Sequence, residues 1–197
     1  MLLDATTRAG WQGKVTASHC CAMAAWPDEY AGEVIRRAAA AGLSFVTNPA
    51  TNLLLQGRLD SEPRRRGLPR VKELLAAGLT VGCGQDCVQD GFYPFGAADQ
   101  LQVALILCHA AQLSVPAEID AALASIRDAA ARIMGVRWYG IEPGCTADLV
   151  VLDSDDIHDA LRLQAPRRYV IRRGAIVAAT RVTTIINRRK DQLPGSR

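Results

Sequence analysis

No stretch of this sequence approaches the roughly 18 consecutive apolar residues that a helix needs to cross a bilayer. The opening residues, MLLDATTRAG, lack the basic start and apolar centre of a secretory signal. An excess of one charge is missing too. Lys and Arg number 23 against 20 Asp and Glu, and the net charge of +3 is too mild to point to a nucleic acid or a membrane surface. The local basic clusters at 64–66 and 188–190 therefore read as solvated faces. Zinc-finger spacing is also absent. Cys83 and Cys87 are separated by three residues rather than two, and no second Cys/His pair follows, which argues against a structural zinc site. The six cysteines (20, 21, 83, 87, 108 and 145) fall inside apolar segments rather than small loops, as expected for reduced thiols in a cytoplasmic protein.

What is present is an ordinary globular composition: 197 residues, 49% apolar and 22% charged, enough for one sizeable core. Three stretches share one build. In residues 13–19 (GKVTASH), 42–48 (GLSFVTN) and 78–86 (GLTVGCGQD), a glycine that closes a helix is followed by a short strand and then a polar side chain. Their leading glycines are 29 and 36 residues apart, the length of a βα unit in a parallel sheet. His19, Asn48 and Asp86 would then line one face at the ends of buried parallel strands.

The other elements follow from periodicity and punctuation. Residues 1–12 read as the last turns of a helix begun upstream. A second helix starts at Trp26-Pro27-Asp28 with Asp28 as its cap, and Ala31, Val34, Ile35 and Ala38 recur on one face. Residues 48–69 show no apolar period and read as a long loop, of the kind that forms lids and binding sites. A short helix is expected over 70–77. Longer ones are expected over 97–113 and 116–134, the last opened by Pro116 and ended at Gly135. A strand over 147–152 and a hairpin over 169–180 around Gly174 form a small β-rich part, and a basic tail follows. His109 falls in a helix and His158 in a polar linker, and both read as structural or exposed.

The stretches VTASH (15–19), FVTNPATNLLLQGRLD (45–60), RRRGLPRVKELLAAGLTVGCGQD (64–86) and YPFG (93–96) resemble bacterial cytosine deaminase and its amidohydrolase relatives. ADLVVLD (147–153) and DALR (159–162) continue the likeness, which runs in order from about residue 15 to 180. The resemblance implies an α/β fold: the C-terminal part of a (β/α)8 TIM barrel, strands six to eight, over residues 1–138. A segment of a small β-sandwich would occupy 139–180, ahead of the basic tail 181–197. Barrels of this kind keep their chemistry at the C-terminal ends of the strands. The small zinc deaminases marked by H-x-E and P-C-x-x-C are a different lineage, and neither motif occurs here.

By the same resemblance, a divalent metal, zinc or iron, activates water for attack on a ring carbon that bears an amino group. Asp86 matches a metal-binding aspartate that also moves protons; a turn or cap aspartate is its plainer account. His19 matches a histidine that holds or polarises the attacking water; a satisfied strand histidine is the alternative. Asn48 and Gln56, with Arg58, would shape the pocket mouth or simply pack a loop. Two departures bear on substrate. Cys87 stands where cytosine enzymes commonly carry a second aspartate, and Phe92 where they commonly carry a tryptophan. A smaller, weakly hydrogen-bonding group beside the ring relaxes selection, so a 5-substituted pyrimidine or related heterocycle is expected.

The family's remaining ligands come from an H-x-H and a further histidine, and no H-x-H occurs in this sequence. The expectation is a C-terminal fragment that does not retain the metal and is inactive alone. Its partners would be a small nucleobase or heterocycle and a subunit carrying the N-terminal half-barrel, in a homo-oligomer when intact. The alternative is a non-catalytic remnant or interaction module pairing with such a subunit. Another is a metal scaffold that recruits the thiols of Cys20, Cys21 and Cys87.

Overall fold

The computed structural model describes residues 1–62 and 64–185. The 188–190 cluster and the rest of the tail beyond 185 lie outside them. A helix, α1 (Leu2–Arg8), precedes the first strand, β1 (Thr16–Ser18). A 3-10 turn (Cys21–Ala25) and α2 (Asp28–Ala40) lead to β2 (Ser44–Thr47), and α3 (Pro49–Leu55) and α4 (Val71–Ala76) lead to β3 (Thr80–Cys83). The three strands form one parallel sheet in chain order, with Ser18 level with Val46 and Val46 level with Gly82.

Alternation decides which face is covered. Phe45 and Val81, with half-buried Val15 and Ala17, pack on Ile35 and Ala38 of α2 and Leu74 of α4. On the other face, Ile133 of α7 (Asp128–Ile133) lies over Gly82, where an added Cβ would stand 2.9 Å from its Cδ1. The helix-to-strand passages are built alike. At Gly42 (φ 62°) and Gly78 (φ 73°) the chain turns left-handed. The next amide then donates back five residues, Leu43 N to Ala38 O at 3.0 Å and Leu79 N to Leu74 O at 3.1 Å. Gly13 is the exception, because α1 has already ended at Arg8 and is closed by Trp11 N donating to Thr6 O.

Beyond β3, α5 (Gln100–Ala110) is capped by the Asp99 carboxylate, which accepts from Leu101 N at 3.0 Å. The helix expected over 116–134 is two helices, α6 (Pro116–Ser125) and α7, because Arg127 leaves helical geometry at φ −123°, ψ −91°. Asp28 is the first residue of α2 rather than its cap, and it pairs with Arg70 at 2.8 Å. The 48–69 loop contains α3.

A second, antiparallel sheet runs β4 (Leu149–Leu152), β5 (Arg167–Arg172), β6 (Ala175–Ala179). Between β4 and β5 lies α8 (Ile157–Leu163), where a linker was expected; Leu161 is its buried contact with α5 and α6. His158 is therefore a helix residue, 2.6 Å from Asp120 of α6. Arg167 of β5 pairs with Asp99, tying this sheet to the start of α5. Among the described residues no helix is long and apolar enough to cross a membrane.

One surface carboxylate fastens α6 to α4. Glu118 accepts from Ser114 N at 2.7 Å and pairs with Lys72 at 2.7 Å. Lys72 and the Ser114 amide hold its carboxyl down at about 2. A depressed carboxyl pKa contributes stability that is complete above its ordinary value of 4.5 and is lost as pH falls toward about 2. Thermal melts of Glu118→Gln and the native chain between pH 7 and pH 2 should therefore converge at the acid end and separate above pH 4.5.

Candidate active site

Because the sheet is parallel, the C-terminal ends of β1, β2 and β3 reach one edge. His19 N continues the ladder by donating to Val46 O at 2.9 Å, and Gly84 N donates to Thr47 O at 3.0 Å. The chain then leaves β1 sharply, with His19 (φ 62°) and Cys20 (φ 49°) both left-handed. Asp86, past the end of β3, is left-handed as well (φ 67°). Non-glycine residues adopt this conformation only where the surroundings enforce it.

Amides supply that enforcement on the His19 side. Asn48 is buried; its Nδ2 donates to Ser18 Oγ at 3.4 Å and lies 3.4 and 3.5 Å from the two ring nitrogens of His19. Asn48 Oδ1 reaches the other way, over Gly84, where a Cβ would stand 2.8 Å from it. One turn along α3, Asn52 Oδ1 lies 3.0 Å from His19 Nδ1. On the Asp86 side, Thr51 Oγ donates to Gln85 O at 3.1 Å and accepts from Cys87 N at 3.2 Å. Asn48, Thr51, Asn52 and Gln85 are all buried, whereas His19 is half-buried and the Asp86 carboxylate is open to solvent. Three buried polar atoms without a protein partner among the described residues, Thr47 Oγ, Asn52 Nδ2 and Gln85 Oε1, also belong to this end of the sheet. Packing alone does not account for such a concentration.

The sequence-selected residues thus divide. His19 and Asn48 share one network. Asp86 and Cys87 sit on a neighbouring turn tied to it through α3. Cys87 is half-buried, and burial together with Asp90 pushes its thiol pKa up, so it stays neutral at neutral pH. Phe92 is 70% exposed at the tip of the following loop, its amide held by the Asp90 carboxylate at 2.8 Å. Gln56 is exposed at the end of α3 with its stem against Gly67, apart from the His19 network. Thr51 and Asn52 are the residues that sequence reasoning passed over. A proline at helix position one after Asn48, with a second asparagine four residues on, was the available signal.

A basic cleft of about 460 Å³ lies elsewhere, lined by Arg64, Arg65, Arg66, Arg70 and Lys72. Four of these five cations serve the fold: Arg65 pairs with Asp60, Lys72 with Glu118, and Arg66 and Arg70 donate to the carbonyls of Ala110 and Met23. As for a metal, no three His, Cys, Asp or Glu side chains gather among the described residues. Burial raises the thiol pKa of both Cys20 and Cys21.

Comparisons with known proteins identify the family and the fold. The amidohydrolase family model matches residues 2–178. The N-isopropylammelide isopropyl amidohydrolase of Pseudomonas sp. strain ADP is 35% identical over 182 residues, covering 92% of this chain and 42% of that protein. The pterin deaminase of Rhizobium rhizogenes is 34% identical over 175 residues, covering 88% of this chain and 40% of that protein. The structure of 5-methylcytosine deaminase from Klebsiella pneumoniae with 5-fluorocytosine superposes with a TM-score of 0.88 at 33% identity, over 94% of this chain and 45% of that one. The chain therefore spans less than half the length of the curated relatives it matches, 42% and 40%.

The contact between Asn48 and Gly84 is the tightest point of the cluster. Gly84→Ala should displace the Asn48 amide, cost about 1–3 kcal/mol in chemical denaturation, and shift the His19 ring resonances in NMR spectra.

Proposed function

Because the chain belongs to the amidohydrolase family, we propose that its strand-end cluster is one wall of the active site of a hydrolytic deaminase acting on a nitrogen heterocycle. In this reading β1, β2 and β3 are strands six to eight of a TIM barrel within residues 1–138, and β4–β6 are part of a β-sandwich over 139–180. The observation that carries it is the convergence of an imidazole, two buried amides and an open carboxylate at the C-terminal ends of neighbouring parallel strands, where such sheets place their ligands.

The roles follow from chemistry. Deamination adds water to the ring carbon bearing the amino group, and the C–N bond then breaks as the departing nitrogen takes a proton. The Asp86 carboxylate, open to solvent, accepts the proton from water and returns it to the leaving nitrogen. The His19 imidazole, held by amides on one side, orients that water. Cys87, as a neutral thiol, and Phe92 face the ring and admit substituents that a carboxylate and an indole would exclude. Gln56 stands at the mouth. The relatives' different substrates, by their names an ammelide, a pterin and 5-methylcytosine, fit a site whose selectivity lies in such positions.

The divalent ion that the family implies takes about three protein ligands, and the described residues do not fit it by themselves. Asp86 is the ligand this chain offers, and no step above runs through the ion. The reading therefore includes a second polypeptide segment that completes the site. The outer edge of β1 has no strand paired to it among the described residues. An apolar groove of about 220 Å³ lies beside it, lined by Leu2, Leu3, Ala17, Trp26 and Tyr30. These features also favour the second reading, an interaction module that docks a half-barrel subunit without turning over substrate.

Ammonia release separates the two. The chain alone, with zinc or iron, should deaminate neither cytosine nor 5-methylcytosine. Co-expressed with a half-barrel carrying an H-x-H and a His-x-x-Glu strand, it should prefer 5-methylcytosine. Asp86→Asn and His19→Gln should each then lower turnover about 100-fold or more. Turnover by the isolated chain, or a strong preference for cytosine, would contradict this reading. A complex without turnover would leave the docking module.

A further inference from the structure

His19 and Asp86 stand at the ends of two strands that are not neighbours in the sheet, with β2 between them. Their relative placement therefore depends on whatever spans that gap, and two consecutive residues of α3 do so. Thr51 and Asn52 are each 2% exposed. The Thr51 hydroxyl uses its proton on Gln85 O and a lone pair on Cys87 N, bracketing the left-handed Asp86 from both sides. Asn52 Oδ1 meets His19 Nδ1 at 3.0 Å.

The second contact fixes a proton. An amide oxygen only accepts, so Nδ1 must carry the hydrogen and the lone pair falls to Nε2. The reversed amide would place an NH2 group against Nδ1, which Asn48 Nδ2 already approaches at 3.4 Å. Two donors would then compete for one lone pair. With Oδ1 toward the ring, Asn52 accepts from Nδ1–H while Asn48 Nδ2, 3.5 Å from Nε2, meets the lone pair there, so both asparagines bond to it.

We propose that Thr51 and Asn52 are the positioning pair of this site, a single helical step that sets the His19 tautomer and the Asp86 turn together. The proposal rests on the catalytic reading of His19 and Asp86 given above. Neither residue of the pair touches reacting atoms; each acts through the group it holds. Both are carried by one helix whose first four residues are buried, so a shift of α3 moves imidazole and carboxylate in concert.

Nitrogen NMR on the labelled chain tests this without turnover. The protein has three histidines, and His19→Gln identifies the His19 signal. In the native chain His19 should be the Nδ1–H tautomer, the reverse of the preference of free imidazole side chains. Asn52→Leu should return it to Nε2–H, whereas Asn52→Asp, which keeps an acceptor in place, should retain Nδ1–H. Thr51→Val should leave the tautomer alone but speed hydrogen exchange at the Cys87 amide about tenfold or more, with Thr51→Ser restoring protection. A native His19 in the Nε2–H form, a tautomer indifferent to Asn52→Leu, or a Cys87 amide unchanged in Thr51→Val would overturn the pair. An unaffected turnover in His19→Gln of the completed enzyme would overturn the catalytic reading instead, and the two failures are read on different instruments.

Discussion

The structure depends on the parallel register of three short strands. With Ser18, Val46 and Gly82 level across the sheet, every strand ends at the same edge, and the residues just beyond each end have no choice but to meet there. An antiparallel arrangement of the same segments would send the residue after β2 to the far side of the molecule. The helix–glycine–strand repeats that enforce the parallel order are therefore also what gathers the polar cluster. Chemistry and fold share one constraint in this part of the chain.

The cluster has a back and a front. Its back consists of buried groups, Asn48, Thr51, Asn52 and Gln85, bonded to the imidazole, to Ser18 or to the backbone of Gln85 and Cys87. Polar groups in such a place are costly to bury and become rigid once paired, because a displaced partner leaves an unsatisfied donor or acceptor behind. Its front consists of half-buried His19 and exposed Asp86. The back is thus buried and partly paired, and the front is open to solvent.

The strand ends were legible because glycine, a short apolar run and a terminal polar residue are local signals. The parallel order followed from their spacing, and Ala31, Ile35 and Ala38 were legible as a buried helical face. α3 was not legible, for a physical reason. Its buried side carries Thr51 and Asn52 in place of leucine or valine, so apolar periodicity reported a loop where the structure has a helix. The same residues that hid the element tie it to the site. α8 was missed differently: it is two turns long, with Ala160 and Leu161 as its buried residues, too short to set up a period. Gln56 was chosen for its place in a presumed loop. Once that loop is a helix, its position at the helix end explains why it stands away from His19.

What the cluster lacks is as physical as what it holds. His19 spends its ring nitrogens on amides, the thiols near the site are held neutral, and one carboxylate remains facing solvent. Among the described residues no three His, Cys, Asp or Glu side chains converge on one point, as a cation site requires. Among the described residues both sheets keep unpaired edges: β1 beside its apolar groove, and β6, in which all five residues are exposed, Ile176 and Val177 among them. Unpaired strand edges with apolar neighbours favour further pairing over solvent. The open front of the site and the open edge of β1 lie on the same sheet. A strand added at that edge in parallel would bring its own C-terminal end beside His19.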